Sequence, residues 1–469
     1  MKDIDIIVIG GGPGGYSAAI KAAQKGKKVA LIEKNALGGT CLNAGCIPTK
    51  LFLTSSSIYQ KMKNSFFWGI HAENISYNFQ KIVERKNQTI LHLRNGLKHL
   101  IEANGIIIYS GEAKFISPHE IKITGEKENI LSAKNIIIAT GSEPIDLPNI
   151  FCNNNFIYNS ASILNLEKLP KTLTIIGGGY IGCEFASFFA SLGVEIKIIE
   201  AFPNLISSMG STLSQALERA FKRKKIELYT SNTVEKIEKT EKGCFIILQN
   251  GKTITSDIVL IAIGRNSNTN TLALEQAGVK RDFFTNTIIV NDNMQTSVKH
   301  IFAVGDVTKK FMLAHVAVHQ AFVAVENILG NNTTMNYRAI PSVIFTSPEI
   351  AKVGLSREEA KKENIEIIVK SLPFEALGKA HAIGEKEGFA QIIVDKKTKK
   401  IIGAEVFGNS SSELIAEMAL AIENGLTLEN IISTIHAHPT MAECWHEIAL
   451  LANCSPLHIP PQKNLMPKE

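Results

Sequence analysis

The feature that most constrains this chain is a unit that occurs twice. Residues 5–9 (Asp-Ile-Ile-Val-Ile) form a short apolar run, followed by Gly10-Gly11-Gly12-Pro13-Gly14-Gly15. An Ala-rich, helix-prone stretch covers 16–25, and a second apolar strand covers 29–32 and ends in Glu33. The same order returns: a strand at 171–176, then Gly177-Gly178-Gly179-Tyr180-Ile181-Gly182, a helix at 183–192 and a strand at 195–199 ending in Glu200. Glu33 lies 23 residues after Gly10, and Glu200 lies 23 after Gly177. Strand, G-x-G-x-x-G, helix, strand and acid in this order define a dinucleotide-binding fold. The glycines let the backbone turn and approach a pyrophosphate at the helix N-terminus, and the acid hydrogen-bonds a ribose. Two such units predict two bound dinucleotides.

A chain of 469 residues is too long for one core and predicts about three domains. The net charge of +6 is spread along it. Short basic clusters such as Lys222-Arg223-Lys224-Lys225 read as solvated faces, and no nucleic-acid motif accompanies them. The N-terminus passes straight into a strand with no signal-peptide pattern, and no run is long and apolar enough to span a membrane. Neither a nucleic-acid nor a membrane partner is expected. Seven cysteines, five of them scattered, argue against a secreted disulfide framework and for a reducing, cytoplasmic setting.

Between the two units, 55–104 reads as long polar helices, one of them 79–103 broken near Gly96. Strand-like segments follow at 106–109, 113–116, 120–124 and 136–139. The last runs into Ala139-Thr140-Gly141-Ser142-Glu143-Pro144, a strand leaving for a new domain, and 258–265 has a similar exit. Residues 301–306 (Ile-Phe-Ala-Val-Gly-Asp) form a buried strand ending in Asp306, an acid placed to bind the ribityl hydroxyls of a flavin, and the helix 312–329 follows. From Ser342 on, strands at 343–346, 365–369, 388–394 and 400–407 and helices at 411–424 and 440–452 predict a separate α+β domain with an irregular proline-rich tail at 455–463. The fold class is α/β: two Rossmann-like dinucleotide-binding domains, the second inserted into the first, plus a C-terminal α+β domain. The boundaries are 1–145 and 271–340 for the first, 146–270 for the second and 341–469 for the third.

The chemistry centres on Gly38-Gly39-Thr40-Cys41-Leu42-Asn43-Ala44-Gly45-Cys46-Ile47-Pro48-Thr49-Lys50. The C-x4-C spacing is not a zinc or thioredoxin-like pattern, and no metal site is expected. A redox disulfide lying against a flavin fits, with one thiol exchanging with a substrate disulfide and the other passing electrons to the flavin. The first unit, next to the cysteines, is then the FAD site, and the second takes the nicotinamide. Glu200, with no basic residue in the Ala201-Phe-Pro-Asn-Leu that follows, favours NAD over NADP. Lys50, a turn after Cys46, would bring a cation to the flavin, with Glu184 in the first turn of the second helix as its carboxylate partner. In His436-Ala-His438-Pro439-Thr440-Met-Ala-Glu443, Pro439 is expected to open a helix at N1, so that Glu443 folds back on His438. That pair can take a proton from a dithiol. His436 reads as structural.

Taken together, GGTCLNAGCIPTK (38–50), GGGYIGCEFA (177–186), AIGRNSN (262–268), FAVGDV (302–307), MLAHVA (312–317) and HAHPTMAE (436–443) resemble the pyridine-nucleotide disulfide oxidoreductases, and most closely their dihydrolipoamide-oxidising branch. The resemblance runs from Asp5 to about His458. It implies that Cys41 is the interchange thiol and Cys46 the charge-transfer thiol. His438, oriented by Glu443, would reach the disulfide of the other subunit of a homodimer closed by the C-terminal domain. Implied FAD contacts are Gly10, Gly12, Gly15, Glu33, Gly39, Thr40, Lys50, Ala113, Thr140, Gly141, Asp306 and Ala314. Implied NAD contacts are Gly177, Gly178, Gly179, Tyr180, Ile181, Gly182, Glu200, Val234, Ala262, Gly264 and Arg265. The reaction would transfer electrons from a dihydrolipoyl group to NAD⁺. The partner would be the lipoyl-bearing acyltransferase subunit of a 2-oxo-acid dehydrogenase complex, or a glycine cleavage system. Thr49 and Ala442 stand where the family often has Ser. Tyr180 is bulky for the second glycine loop and is expected to cover the nicotinamide pocket.

Rival readings are a glutathione- or trypanothione-type reductase, a mercuric reductase, a transhydrogenase and a non-catalytic adhesin. The first lacks basic residues after Glu200, and the second lacks a C-terminal cysteine pair. The third would have no disulfide, and the fourth does not account for Cys41, Cys46, His438 and Glu443 together.

Overall fold

The computed structural model describes residues 4–241 and 243–460. The chain forms two compact units, one of residues 1–169 with 260–335 and the other of 170–259 with 336–469.

In the first unit the strand Ile4–Ile9 lies between Val29–Glu33 and Asn129–Ile138, parallel to both. Ile107–Ser110 extends the sheet beyond Val29–Glu33, and Ile301–Ala303 lies parallel to the end of Asn129–Ile138. Ile4–Ile9, Val29–Glu33 and Ile301–Ala303 are buried on both faces, which is why they read as unbroken apolar runs. The start of Asn129–Ile138 pairs antiparallel with Glu120–Thr124, which pairs with Glu112–Ser117. Ile7, Ile9, Ile32, Phe115, Ile136 and Ile301 belong to one core. The helices Pro13–Gln24 and Ala314–Ile328 pack together, and a Cβ on Gly14 would stand 3.2 Å from Val304 Cγ2 and 3.4 Å from Ala317.

Two helices lead away from the cysteines, Cys46–Lys63 and Phe79–Ala103. The second is continuous, contrary to the expected break at Gly96. A Cβ at Gly96 would meet nothing within 4 Å, so the position is open, and its cost of about 1 kcal/mol is spread over a 25-residue helix. The side chain of Asn78 caps that helix by accepting from Lys81 N–H. The two exits seen in the sequence meet: Ser142–Pro144 pairs antiparallel with Arg265–Ser267.

In the second unit Glu195–Ile199 lies parallel to Thr172–Ile176 and to Glu227–Tyr229. A three-stranded antiparallel sheet, Val234–Thr240, Gly243–Leu248 and Thr253–Ser256, follows. The C-terminal part is a five-stranded sheet ordered Ser342–Ile344, Ile350–Gly354, Ile401–Gly408, Gly388–Asp395 and Ile367–Pro373. Ile350–Gly354 had no counterpart in the sequence reading. The sheet's core contains Leu372, Phe374, Met418 and Trp445. Trp445 donates its indole N–H to Leu414 O at 3.1 Å. The last helix is Glu443–Ala452, three residues shorter than expected from the sequence. Residues 455–460 are irregular, and 461–463 of the expected tail lie outside the described residues.

Candidate active site

Each glycine fingerprint has the geometry its residues demand. Gly10 has φ +104°, and a Cβ there would stand 2.3 Å from Ala139 O. A Cβ on Gly15 would stand 1.7 Å from Gly10 O, so only glycine lets the helix sit this close to its strand. Gly12 is the N-cap and Pro13 follows it, leaving first-turn N–H groups without a side-chain cap. Glu33 Oε2 accepts from Gly11 N–H at 2.7 Å and Oε1 from Asn35 N–H at 2.8 Å, which fixes the acid beside the loop. This cradle of backbone donors and a held carboxylate fits the pyrophosphate and ribose of a dinucleotide.

The second fingerprint repeats this. Gly177 has φ +108°, and a Cβ on Gly182 would stand 2.0 Å from Gly177 O. Gly179 is the N-cap, and Tyr180 and Ile181 open the helix Tyr180–Ser191, with Tyr180 exposed. Glu200 is buried; its Oε2 accepts from Gly178 N–H at 2.6 Å and its Oε1 from Phe202 N–H at 2.8 Å. Val234 opens the antiparallel sheet of the same unit. Glu184 is the fifth helical residue, not in the first turn as expected; it is buried and accepts from Phe345 N–H at 2.9 Å.

The cysteine segment is built directly onto the first cradle. A Cβ on Gly39 would come within 2.7 Å of Gly12 Cα. Gly38, with φ +94°, caps a short helix, Gly39–Ala44, which carries Cys41. Gly45 interrupts it, and Cys46 opens Cys46–Lys63. Cys41 and Cys46 are free thiols in contact, Cys41 half-buried and Cys46 exposed. The hydrogen bond with Cys46, which favours the protonated form, and then burial push the Cys41 thiol well above its ordinary range, while the charge of Lys50 pulls the other way.

Asn43, between the cysteines, ties this segment down. Its Nδ2 donates to Leu37 O and Gly39 O, both at 2.9 Å, and its Oδ1 accepts from Arg94 Nε (3.0 Å) and Nη2 (2.7 Å). Neither Asn43 nor Arg94 stood out in the sequence; the pair is separated by 51 residues, and no local pattern links them.

Arg265, expected with the nicotinamide nucleotide, bonds to residues of the first unit. Its Nε donates to Ser142 Oγ at 2.7 Å and its Nη2 to Ser142 O at 2.7 Å and Thr40 Oγ1 at 3.4 Å. Ser142 Oγ in turn donates to Asp306 Oδ2 at 2.5 Å. Burial lowers the guanidinium's proton affinity, while Asp306 and Cys46 oppose that shift. Ala262 and Gly264 lie in the same unit, where Gly264 O accepts from Ile145 N–H. Thr140 Oγ1 donates to Asn268 O at 2.7 Å, and Asn268 N–H donates to Gly141 O at 3.0 Å. Ala113 is buried in Glu112–Ser117, and Ala314 opens Ala314–Ile328.

His438 Nδ1 lies 2.7 Å from Glu443 Oε1, and Thr440 N–H donates to Glu443 Oε2 at 2.7 Å. Pro439 does not open the helix: it follows a cis peptide, and the helix begins at Glu443 itself, with Ala442 as N-cap. The carboxylate reaches His438 from N1 of the helix, where the dipole favours an anion. Burial pushes the Glu443 carboxyl up, but the Thr440 N–H and His438 outweigh it and hold it below the usual range. A proton on Nδ1 directed at Glu443 leaves Nε2 as an acceptor, and the His438 side chain is 78% exposed. His436, by contrast, has a side chain only 7% exposed, with Nε2 2.9 Å from Glu417 Oε1.

A doubled dinucleotide fold with a dithiol built onto one cradle and a carboxylate-held histidine defines a flavin-dependent disulfide oxidoreductase. The family model for pyridine nucleotide-disulphide oxidoreductases matches residues 4–321, and that for their dimerisation domain matches 340–449. The chain belongs to this family; it is an FAD-dependent oxidoreductase whose second cofactor is NAD. It is 45% identical over 461 residues to the dihydrolipoyl dehydrogenase of Chlamydia pneumoniae, covering 98% of this chain and 99% of that one. It is 41% identical to that of Geobacillus stearothermophilus, covering 97% and 98%. Among solved structures it is similar to LpdA of Mycobacterium tuberculosis, with 25% identity, TM-score 0.91 and coverage of 95% and 99%. It is also similar to the HOCl-induced flavoprotein disulfide reductase RclA of Escherichia coli in its Cu(II) complex, with 28% identity, TM-score 0.87 and coverage of 96% and 100%.

Proposed function

We propose that the protein oxidises protein-bound dihydrolipoyl groups with NAD⁺. The observation that carries this is the contact between the Cys41 and Cys46 thiols on a segment packed against the first glycine cradle. In the oxidised enzyme a substrate thiolate attacks Cys41, breaking the Cys41–Cys46 bond and releasing Cys46 as a thiolate. His438 takes the proton of the second substrate thiol, which closes the lipoyl disulfide and frees Cys41. FAD, when bound, would supply the two-electron chemistry that links the dithiol to the nicotinamide. The Gly10, Gly12 and Gly15 loop with Glu33 holds the FAD, with Gly39, Thr40, Ala113, Thr140, Gly141, Asp306 and Ala314 as further contacts. The Gly177–Gly182 loop with Glu200 and Val234 receives NAD⁺. Lys50 supplies a positive charge beside the cysteines.

Residues 1–145 and 271–340 are the flavin domain, 146–270 the nicotinamide domain and 341–469 the dimerisation domain. His438 acts on the disulfide of the second subunit of a homodimer, which serves a 2-oxo-acid dehydrogenase complex or a glycine cleavage system in the bacterial cytoplasm. The matched dimerisation model and the names of the relatives support this setting. Steady-state turnover of dihydrolipoamide against reduced glutathione, with NAD⁺ and NADP⁺, tests the reading. Dihydrolipoamide with NAD⁺ is the expected pair, and a preference for glutathione or NADP⁺ refutes it.

A further inference from the structure

The helix Glu443–Ala452 carries two imidazole–carboxylate pairs. Glu443 holds His438, and Glu447, four residues on and therefore on the same face, holds His458. His458 Nδ1 lies 2.7 Å from Glu447 Oε1, and the backbone N–H of His458 donates to Glu447 Oε2 at 3.2 Å. Both oxygens of a buried carboxylate are thus spent on one residue of the returning tail. The return is anchored on both sides: Ser455 N–H donates to Leu450 O at 2.9 Å, and Ile459 packs against the core of the C-terminal sheet. The imidazole held in this way is close enough to Glu443 to favour its ionised form. Glu417 and His436 face the same helix from its neighbours, and His446 lies on it with its ring 5.8 Å from that of His436.

We propose that His458 is a positioning residue for the His438–Glu443 pair: clasped by Glu447, it sets the electrostatic field in which His438 takes up its proton. This rests on the proton-acceptor role assigned to His438 above. The two members of the clasp act in opposite senses. Without His458 the buried Glu447 carboxylate stands uncompensated beside Glu443, and two anions favour the imidazolium of His438. Without the Glu447 charge, the clasp offers no anion, and any positive charge on His458 disfavours it.

The test is an NMR titration of the holoenzyme dimer labelled with ¹³C-histidine, with the His438 signal assigned by His438→Gln. His458→Gln is expected to raise the His438 midpoint by about half a pH unit, a roughly threefold change in its protonation ratio, and Glu447→Gln is expected to lower it by a similar amount. The acid limb of kcat/KM for dihydrolipoamide moves the same way in each variant. A merely structural tail would move both midpoints alike or neither, and either result overturns the proposal. The titration needs no turnover, so an enzyme that ignores dihydrolipoamide defeats the functional reading and still leaves the clasp to be judged.

Discussion

The two glycine fingerprints are the same structure up to one residue. In both, the first glycine N–H donates to the strand-end carbonyl at 2.8 Å, from Gly10 to Ile32 and from Gly177 to Ile199. In both, the acid accepts from the second glycine and from the second residue after itself. A leucine then covers the second glycine, Leu37 over Gly11 and Leu205 over Gly178. The next residue closes the loop with a 2.8 Å bond, Gly38 N–H to Gly11 O and Ile206 N–H to Gly178 O. There the copies part. Gly38, at φ +94°, opens the helix of Cys41, whereas Ile206, at φ +42°, opens the short turn Ser207–Met209. One dinucleotide cradle carries an appended redox centre and the other does not, so the same fold can serve as a reaction site or as a docking site for the electron acceptor.

That difference predicts unequal responses to equal changes. Cys41→Ser or Cys46→Ser removes half of the dithiol, and dihydrolipoamide turnover should fall about 10³-fold or more. Cys183→Ala, in the second copy, removes a buried thiol that donates to Gly178 O at 3.4 Å and should change turnover by less than about twofold. Equal losses in a stopped-flow assay would break the comparison.

Gly15→Ala and Gly182→Ala each drive a Cβ to within 2.0 Å of a carbonyl oxygen. The first should yield protein without its yellow flavin. The second should stay yellow with a KM for NAD⁺ raised at least about tenfold, since the loop must open to relieve the clash. Absorbance per chain and the KM for NAD⁺ separate the two.

Glu200→Gln keeps the shape but weakens two bonds to backbone N–H groups. Bonds to a charged group contribute about 1.5–3 kcal/mol, so NAD⁺ affinity should fall about 10- to 100-fold with flavin content unchanged. Glu33→Gln should do the reverse, loosening flavin and sparing NAD⁺; isothermal titration of each variant reads this.

At the helix starts the copies carry Pro13 and Tyr180, and Tyr180 is 44% exposed. Tyr180→Ala should shift NAD⁺ affinity a few-fold if the ring covers the nicotinamide pocket, and Pro13→Ala should leave it unchanged. An unaltered Kd for NAD⁺ in Tyr180→Ala removes that role.

What was legible in the sequence was what is local. The glycine positions follow from backbone angles and close approaches within a few residues, and the Glu33 and Glu200 spacings follow from one helix and one strand. His438 and Glu443 were legible as a pair, but the helix start was misjudged because Thr440, Met441 and Ala442 form a turn ahead of it. Illegible were contacts that depend on tertiary placement: Arg94 with Asn43, Arg265 with Ser142, and the clasp of Glu447 on His458. Glu405 is another case. Its strand reads Ile-Ile-Gly-Ala-Glu-Val-Phe-Gly, yet the carboxylate is buried, accepts from Gln391 Nε2 at 2.9 Å and is pushed by burial up to about 7. Nothing in the alternation of that strand marks an interior acid.

The central claim is that the first cradle, and not the second, hosts the thiol chemistry, with Cys46 as the thiol beside the flavin. The most direct measurement is the absorption spectrum of the holoenzyme after two-electron reduction. The account predicts a long-wavelength thiolate–flavin band in the wild type and in Cys41→Ser, and none in Cys46→Ser. A band that survives Cys46→Ser contradicts it.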